Sequence, residues 1–99
     1  MIRGSTPKHI FNLPIDTNNL SKIKIIYAQD DVILFTKEKD VCTCDGRVVS
    51  VRLTQEETFL FDCKKAVQIQ IRAVTVGGDV LPSKIKLVSV GKCLDNEVL

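Results

Sequence analysis

The stretch of residues 67–73 constrains the fold of this chain most strongly. In its sequence, Val-Gln-Ile-Gln-Ile-Arg-Ala, every second side chain is apolar and the side chains between them are polar. A side-chain period of two suits only an extended strand that has one buried face. The stretch therefore predicts a β-strand whose apolar face packs on a hydrophobic core.

Other segments with a strand-like pattern precede and follow this one. We predict strands at residues 8–13, 22–29, 32–37, 41–44, 47–53, 65–74 and 84–90. Turn signals separate them at intervals of roughly 8–12 residues, which is typical of a sandwich. The pattern predicts an all-β fold, an immunoglobulin-like antiparallel β-sandwich of about seven strands.

The inward-facing positions of these strands predict a single core. A chain of 99 residues, 44% of them hydrophobic, is long enough for one domain that buries roughly 65% of its unfolded surface. We expect this domain to span residues 1–91. A tail without clear periodicity follows at residues 92–99, and it either frays or lies against a neighbouring chain. The predicted core residues are Ile23, Ile25, Tyr27, Val49, Val51, Leu53, Val67, Ile69 and Ile71.

Turn and capping signals mark the connections between strands. Asp30-Asp31 and Asp45-Gly46 predict hairpin turns. Gly77-Gly78 predicts another turn, because it lacks the strand-to-helix context of a phosphate-binding loop. Thr54-Gln55-Glu56-Glu57 matches a capping box, in which the threonine and Glu57 side chains bond each other's backbone amides. It predicts one short helical turn near residues 55–60.

Acidic residues in the predicted turns are candidate cation ligands, because hard cations take oxygen ligands from loops. Their spacing is not that of a calcium-binding loop, so we interpret them as turn formers. Glu56 and Glu57 do not form a catalytic pair, because adjacent helical side chains point about 100 degrees apart. The turn carboxylates are Asp30, Asp31, Asp45 and Asp79.

The charge balance argues against a strongly basic surface. Fourteen Lys and Arg against 12 Asp and Glu give a net charge of +2, and both signs are mixed along the chain. Proteins that bind nucleic acid or anionic membranes concentrate Lys and Arg on one face, so we expect neither partner. Basic pairs at residues 22–24, 64–65 and 84–86 are interpreted as solvated positions on outer faces or edges.

The cysteines are the candidate metal ligands. Cys42 and Cys44 would share one face of a strand, but structural zinc sites use two ligand pairs at tight knuckles, and Cys63 and Cys93 are single. The start of the sequence lacks the apolar core of a secretory signal, so a cytosolic chain with reduced thiols is expected. A metal site and an intrachain disulfide remain alternatives for these four residues.

His9 is the only histidine and the one candidate general base. It shares a predicted strand face with Phe11, and no local motif places a nucleophile within its reach. We predict a partly buried or edge-strand histidine. The residues contain no catalytic constellation and no cofactor motif, so they do not indicate an enzyme.

Several segments taken in their order along the chain form a familiar pattern: residues 3–7, Phe11, Leu13-Pro14, and residues 53–61, 67–72, 77–78, 83–85 and 88–90. This pattern resembles small uncharacterised proteins that tailed phages and prophages of Firmicutes encode among their virion structural genes. The strand pattern is also loosely similar to the immunoglobulin-like N-terminal domain of phage baseplate upper proteins.

The resemblance implies an accessory structural protein that acts as a protein-protein interaction module and carries no catalytic, cofactor or metal residues. Its expected partners are other phage structural proteins and further copies of itself, with the edge strand at residues 8–13 as a pairing surface. It would be made in the host bacterial cytoplasm and then join the virion. The alternative is a carbohydrate-binding attachment module, although sugar platforms normally use Trp or Tyr, and this chain has no Trp and one Tyr.

Overall fold

The computed structural model describes residues 1–99 and contains eight β-strands and one short α-helix. Two 3₁₀ turns, Thr17–Asn19 and Lys39–Val41, lie between strands. The strands are β1 (Lys8–Asn12), β2 (Leu20–Gln29), β3 (Val32–Glu38), β4 (Thr43–Asp45), β5 (Val48–Arg52), β6 (Val67–Thr75), β7 (Val80–Pro82) and β8 (Lys86–Val88), and the helix is α1 (Gln55–Phe59).

The strands form two antiparallel sheets that pack face to face. The small sheet has the order β1-β5-β4, and the large sheet has the order β3-β2-β6-β7. The eighth strand, β8, also pairs with β6. It pairs with the first residues of β6, whereas β7 pairs with later residues of β6. This arrangement confirms the predicted all-β sandwich.

One hydrophobic core lies between the sheets. β2 and β6 supply most of it from the large sheet, where Ile25 pairs with Ile71 and Tyr27 with Ile69. All nine residues predicted from the alternating pattern are buried. The 13-residue core also contains Leu20 of β2 and Ala73 of β6, and Phe61 and Val90 from the segments after α1 and after β8.

The hairpin between β2 and β3 is built on the predicted aspartate pair. Asp30 and Asp31 both have positive φ, 50° and 62°, which is the conformation that matches a two-residue turn to strand twist. The Asp31 amide donates to Gln68 Oε1 at 2.8 Å, and Gln68 Nε2 donates to Asp31 Oδ1 at 2.9 Å. The turn is therefore fastened to β6.

The predicted capping box is present at the start of α1. The Glu57 amide donates to Thr54 Oγ1 at 3.2 Å, and the Thr54 amide donates to Glu57 Oε1 at 2.8 Å. The buried Thr58 hydroxyl donates to the Ser5 carbonyl and accepts from the Gly4 amide. A Cβ on Gly4 would lie 2.6 Å from the Phe59 ring, so only glycine fits this docking of the first residues on α1.

The last part of the chain differs from the prediction of one strand at residues 84–90. It forms β7 and the three-residue β8, which meet β6 at different places. The sequence analysis did not predict β7 because it contains Pro82. Proline lacks a backbone donor for the sheet and is tolerated only at a sheet edge, which is where β7 lies. The predicted strand at residues 41–44 also begins later, at Thr43, because Lys39–Val41 forms a 3₁₀ turn.

Candidate binding groove between the sheets

The structure brings Cys42 and Cys44 together but adds no third ligand. Both thiols are half-buried against the core, and all four cysteines are free. Burial, and then the neighbouring Cys44, raise the pKa of Cys42, which keeps the thiol protonated and weakens it as a nucleophile or ligand. No group of three or more His, Cys, Asp or Glu residues converges anywhere in the chain.

His9 lies half-buried on β1, as predicted, and pairs with a core tyrosine. Its Nδ1 lies 2.7 Å from the Tyr27 hydroxyl, and the two rings stack with centroids 5.6 Å apart. Burial, and then the positive charges of Lys86 and the N-terminal amine, lower the pKa of His9. Its partner is thus a buried hydroxyl that needs a hydrogen bond, and His9 provides it.

The two adjacent glutamates of α1 have separate environments. Glu56 is exposed, whereas Glu57 bonds Lys37 of β3 at 2.5 Å. Burial opposes the ionisation of Glu57, but the hydrogen bonds from Lys37 and the Thr54 amide outweigh it and lower its pKa. Glu57 therefore fastens the helix to the large sheet and does not face Glu56 as a second catalytic carboxylate.

A groove of about 390 Å³ lies on one open side of the sandwich. There the small sheet ends at β1, and the large sheet ends at β7 and β8. The core residues Ile69, Ile71 and Ala73 of β6 form its floor, Phe11 of β1 and Leu81 of β7 form its walls, and Lys84 and Lys86 lie at its rim. No acidic side chain lines it.

The β1 wall of this groove is an unpaired strand edge. The Leu53 amide donates to the Pro7 carbonyl, and the Leu13 amide donates to the Arg47 carbonyl. Because the two edges of a strand alternate residue by residue, the backbone groups of Ile10 and Asn12 point away from β5. They are available to another strand at the mouth of the groove.

A second apolar surface lies on the outer face of the large sheet. Ile33, Ile85 and Leu87 are each more than half exposed there. Ile33 and Ile85 line a shallow depression of about 170 Å³ together with Gln68 and Gln70. This surface is flatter than the groove and does not include the free edge of β1.

The aromatic rings are buried or pack against other side chains of the protein. Tyr27 and Phe61 are buried, and Phe35 stacks on Tyr27 at 4.8 Å. Phe59 lies beneath the Arg3 guanidinium, 5.5 Å from it, and Phe11 is half-buried in the groove wall. None of them is presented as the open ring platform that sugar binding normally uses.

Sequence reasoning identified β1 as an edge strand but missed the groove beside it. The prediction placed Lys84 and Lys86 on a strand facing solvent, whereas the structure places them at the groove rim. The apolar Val80 and Leu81 before Pro82 were the available signal for a further edge strand.

No helix of the structure has the length and apolar character that crossing a membrane requires. No family model, curated protein or solved structure matches the chain.

Proposed function

We propose that this protein is an accessory structural protein of a tailed phage or prophage, and that it binds other virion subunits through the groove beside β1. The phage origin rests on the resemblance of its sequence segments to proteins encoded among virion structural genes. The interaction role rests on the groove. No step of this role needs a catalytic group, a metal or a cofactor.

The observation that carries the proposal is the free edge of β1 next to a groove with an apolar floor. An extended segment that joins a sheet edge gains main-chain hydrogen bonds, and its alternate side chains enter the adjacent pockets. Here the backbone of Ile10 and Asn12 supplies the edge, and Ile69 and Ile71 supply the apolar floor. The groove therefore suits an extended protein segment better than a compact ligand.

Binding to the products of the neighbouring virion genes tests this proposal. In calorimetric titrations with those purified proteins, we expect Ile10→Pro to weaken binding at least about tenfold, because proline removes one edge donor. We expect Leu81→Glu to do the same, because a carboxylate would enter the apolar wall. Val32→Glu is the matched control, since Val32 is an exposed apolar residue at the far hairpin.

Two results would contradict the proposal. One is that none of the virion proteins binds and that mass spectrometry finds no copy of this protein in purified particles. The other is that both groove variants bind as well as the wild type, while circular dichroism shows that they are folded.

A further inference from the structure

The segment at residues 93–99, which we call the acidic tail, lies on the surface with little to hold it. It has no regular secondary structure. Arg3 donates to the Asn96 side chain at 3.3 Å, and the Gln55 side chain bonds the Leu99 backbone at 2.8 and 3.1 Å. Leu94 is 97% exposed and Leu99 is 93% exposed. Apolar side chains left so open to water favour any site that would bury them.

The acidic tail carries its apolar and its acidic side chains at alternating positions, which suits an apolar groove beside a free strand edge. In an extended conformation Leu94, Asn96 and Val98 share one face, and Asp95 and Glu97 lie on the opposite face. Leu94 and Val98 can then enter the apolar groove while the tail backbone pairs with Ile10 and Asn12. This places the two carboxylates at the mouth of the groove, where the long side chains of Lys84 and Lys86 can reach them.

The charges of the two surfaces are complementary. The acidic tail contains Asp95 and Glu97 and no basic residue. The groove rim contains Lys84 and Lys86, and no acidic residue lines the groove. All four side chains belong to exposed residues, so their attraction favours the correct pairing and register more than it adds affinity.

The tail and the groove lie on different parts of the molecule. The tail follows Gly91, which is bridged to Ile2, and it rests beside Gln55 of α1. The groove is formed by β1, β6, β7 and β8. A contact between the tail of one copy and the groove of the next is heterologous, and such contacts build rings or filaments.

We propose that the acidic tail of one copy enters the groove of a second copy and adds a strand beside β1. The inference rests on the proposed function, because it names the partner of the same groove. The protein would thereby assemble head to tail, as a component of a repetitive particle can.

A charge exchange between two variants of the full chain tests the pairing. One variant carries Asp95→Lys and Glu97→Lys, and the other carries Lys84→Glu and Lys86→Glu. All four positions are exposed, so both variants should fold as the wild type does. In sedimentation equilibrium at low salt we expect each variant alone to self-associate at least about tenfold more weakly than the wild type. Mixing the two should restore association, because each tail then meets a groove of opposite charge.

Several outcomes would overturn the inference. These are a wild-type protein that stays monomeric up to about 1 mM, variants that self-associate as strongly as the wild type, and a mixture that restores nothing. A peptide of residues 93–99 with blocked ends should also bind the monomeric tail variant, and Leu81→Glu in that variant should abolish the binding.

The same variants separate this inference from the proposed function. If self-association and peptide binding fail while Ile10→Pro still weakens binding to a virion protein, the tail is the wrong occupant and the groove remains a binding site. If Ile10→Pro and Leu81→Glu affect neither self-association nor binding to virion proteins, both proposals are wrong.

Discussion

At the scale of single residues, the polar groups that the sequence offers for chemistry are committed to structure. His9 and Tyr27 satisfy each other at the edge of the core. Glu57 closes the capping box and bonds Lys37. The cysteine pair packs against the core with a raised pKa at Cys42. These residue types attract a functional interpretation, and each has a structural role here.

The His9 pair predicts a pH dependence of stability. Burial is the main cause that lowers the pKa of His9 from its ordinary value of 6.5, so the folded state favours the neutral ring. The unfolded chain binds a proton at higher pH, and the free energy of unfolding should therefore fall as the pH drops from about 7.5 to about 5.5. Urea denaturation across this range measures the slope.

His9→Gln is the control for this slope, because it keeps a polar side chain beside Tyr27 and does not titrate. The pKa of Glu57 is lowered from its ordinary value of 4.5. Glu57 therefore loses its contribution to the free energy of unfolding only at lower pH, outside the range of this measurement. An equal slope in the wild type and the variant would show that His9 does not cause it.

At the scale of elements, short connections decide how the strands meet. The five-residue helix α1 holds the N-terminal segment through Thr58 and the large sheet through Glu57. The aspartate turn between β2 and β3 is fastened to β6 through Gln68. Each of these elements is too short to be stable alone, so their side-chain bonds to other elements maintain them.

Loss of the helix cap should measurably weaken the fold. We expect Thr54→Ala to lower the free energy of unfolding by about 1 kcal/mol, because the Glu57 amide loses its acceptor. Thr54→Ser keeps the hydroxyl and should cost much less. Chemical denaturation of the three proteins provides the comparison, and equal stability of Thr54→Ala and the wild type would remove the cap from the explanation.

At the scale of the whole molecule, one core holds the two sheets together, but the sandwich is open along the side where β1 faces β7 and β8. Residues 1–91 contain the full core, and the segment after Gly91 contributes nothing to it. The molecule thus presents a complete fold, an open groove and a weakly held tail.

Removal of the tail should leave the fold intact. We expect a chain of residues 1–91 to unfold within about 1 kcal/mol of the full chain, because the lost contacts are exposed hydrogen bonds. A chain of residues 1–89 is the control, since it also loses the core residue Val90 and the bridge between Ile2 and Gly91, and it should be clearly less stable. If residues 1–91 fail to fold, the boundary at residue 91 is wrong.

The sequence by itself determined the strands with strict alternation, the inward residues, the aspartate turn and the helix cap. Each depends on neighbours within a few positions along the chain, such as the period of two at Val67, Ile69 and Ile71 or the spacing of Thr54 and Glu57.

Only the tertiary structure decided where β7 and β8 pair, that the sandwich stays open beside β1, and that Lys84 and Lys86 rim the resulting groove. Those features depend on which distant segments meet across the two sheets. The local pattern of a three-residue edge strand ending in proline carries too little information to specify such contacts.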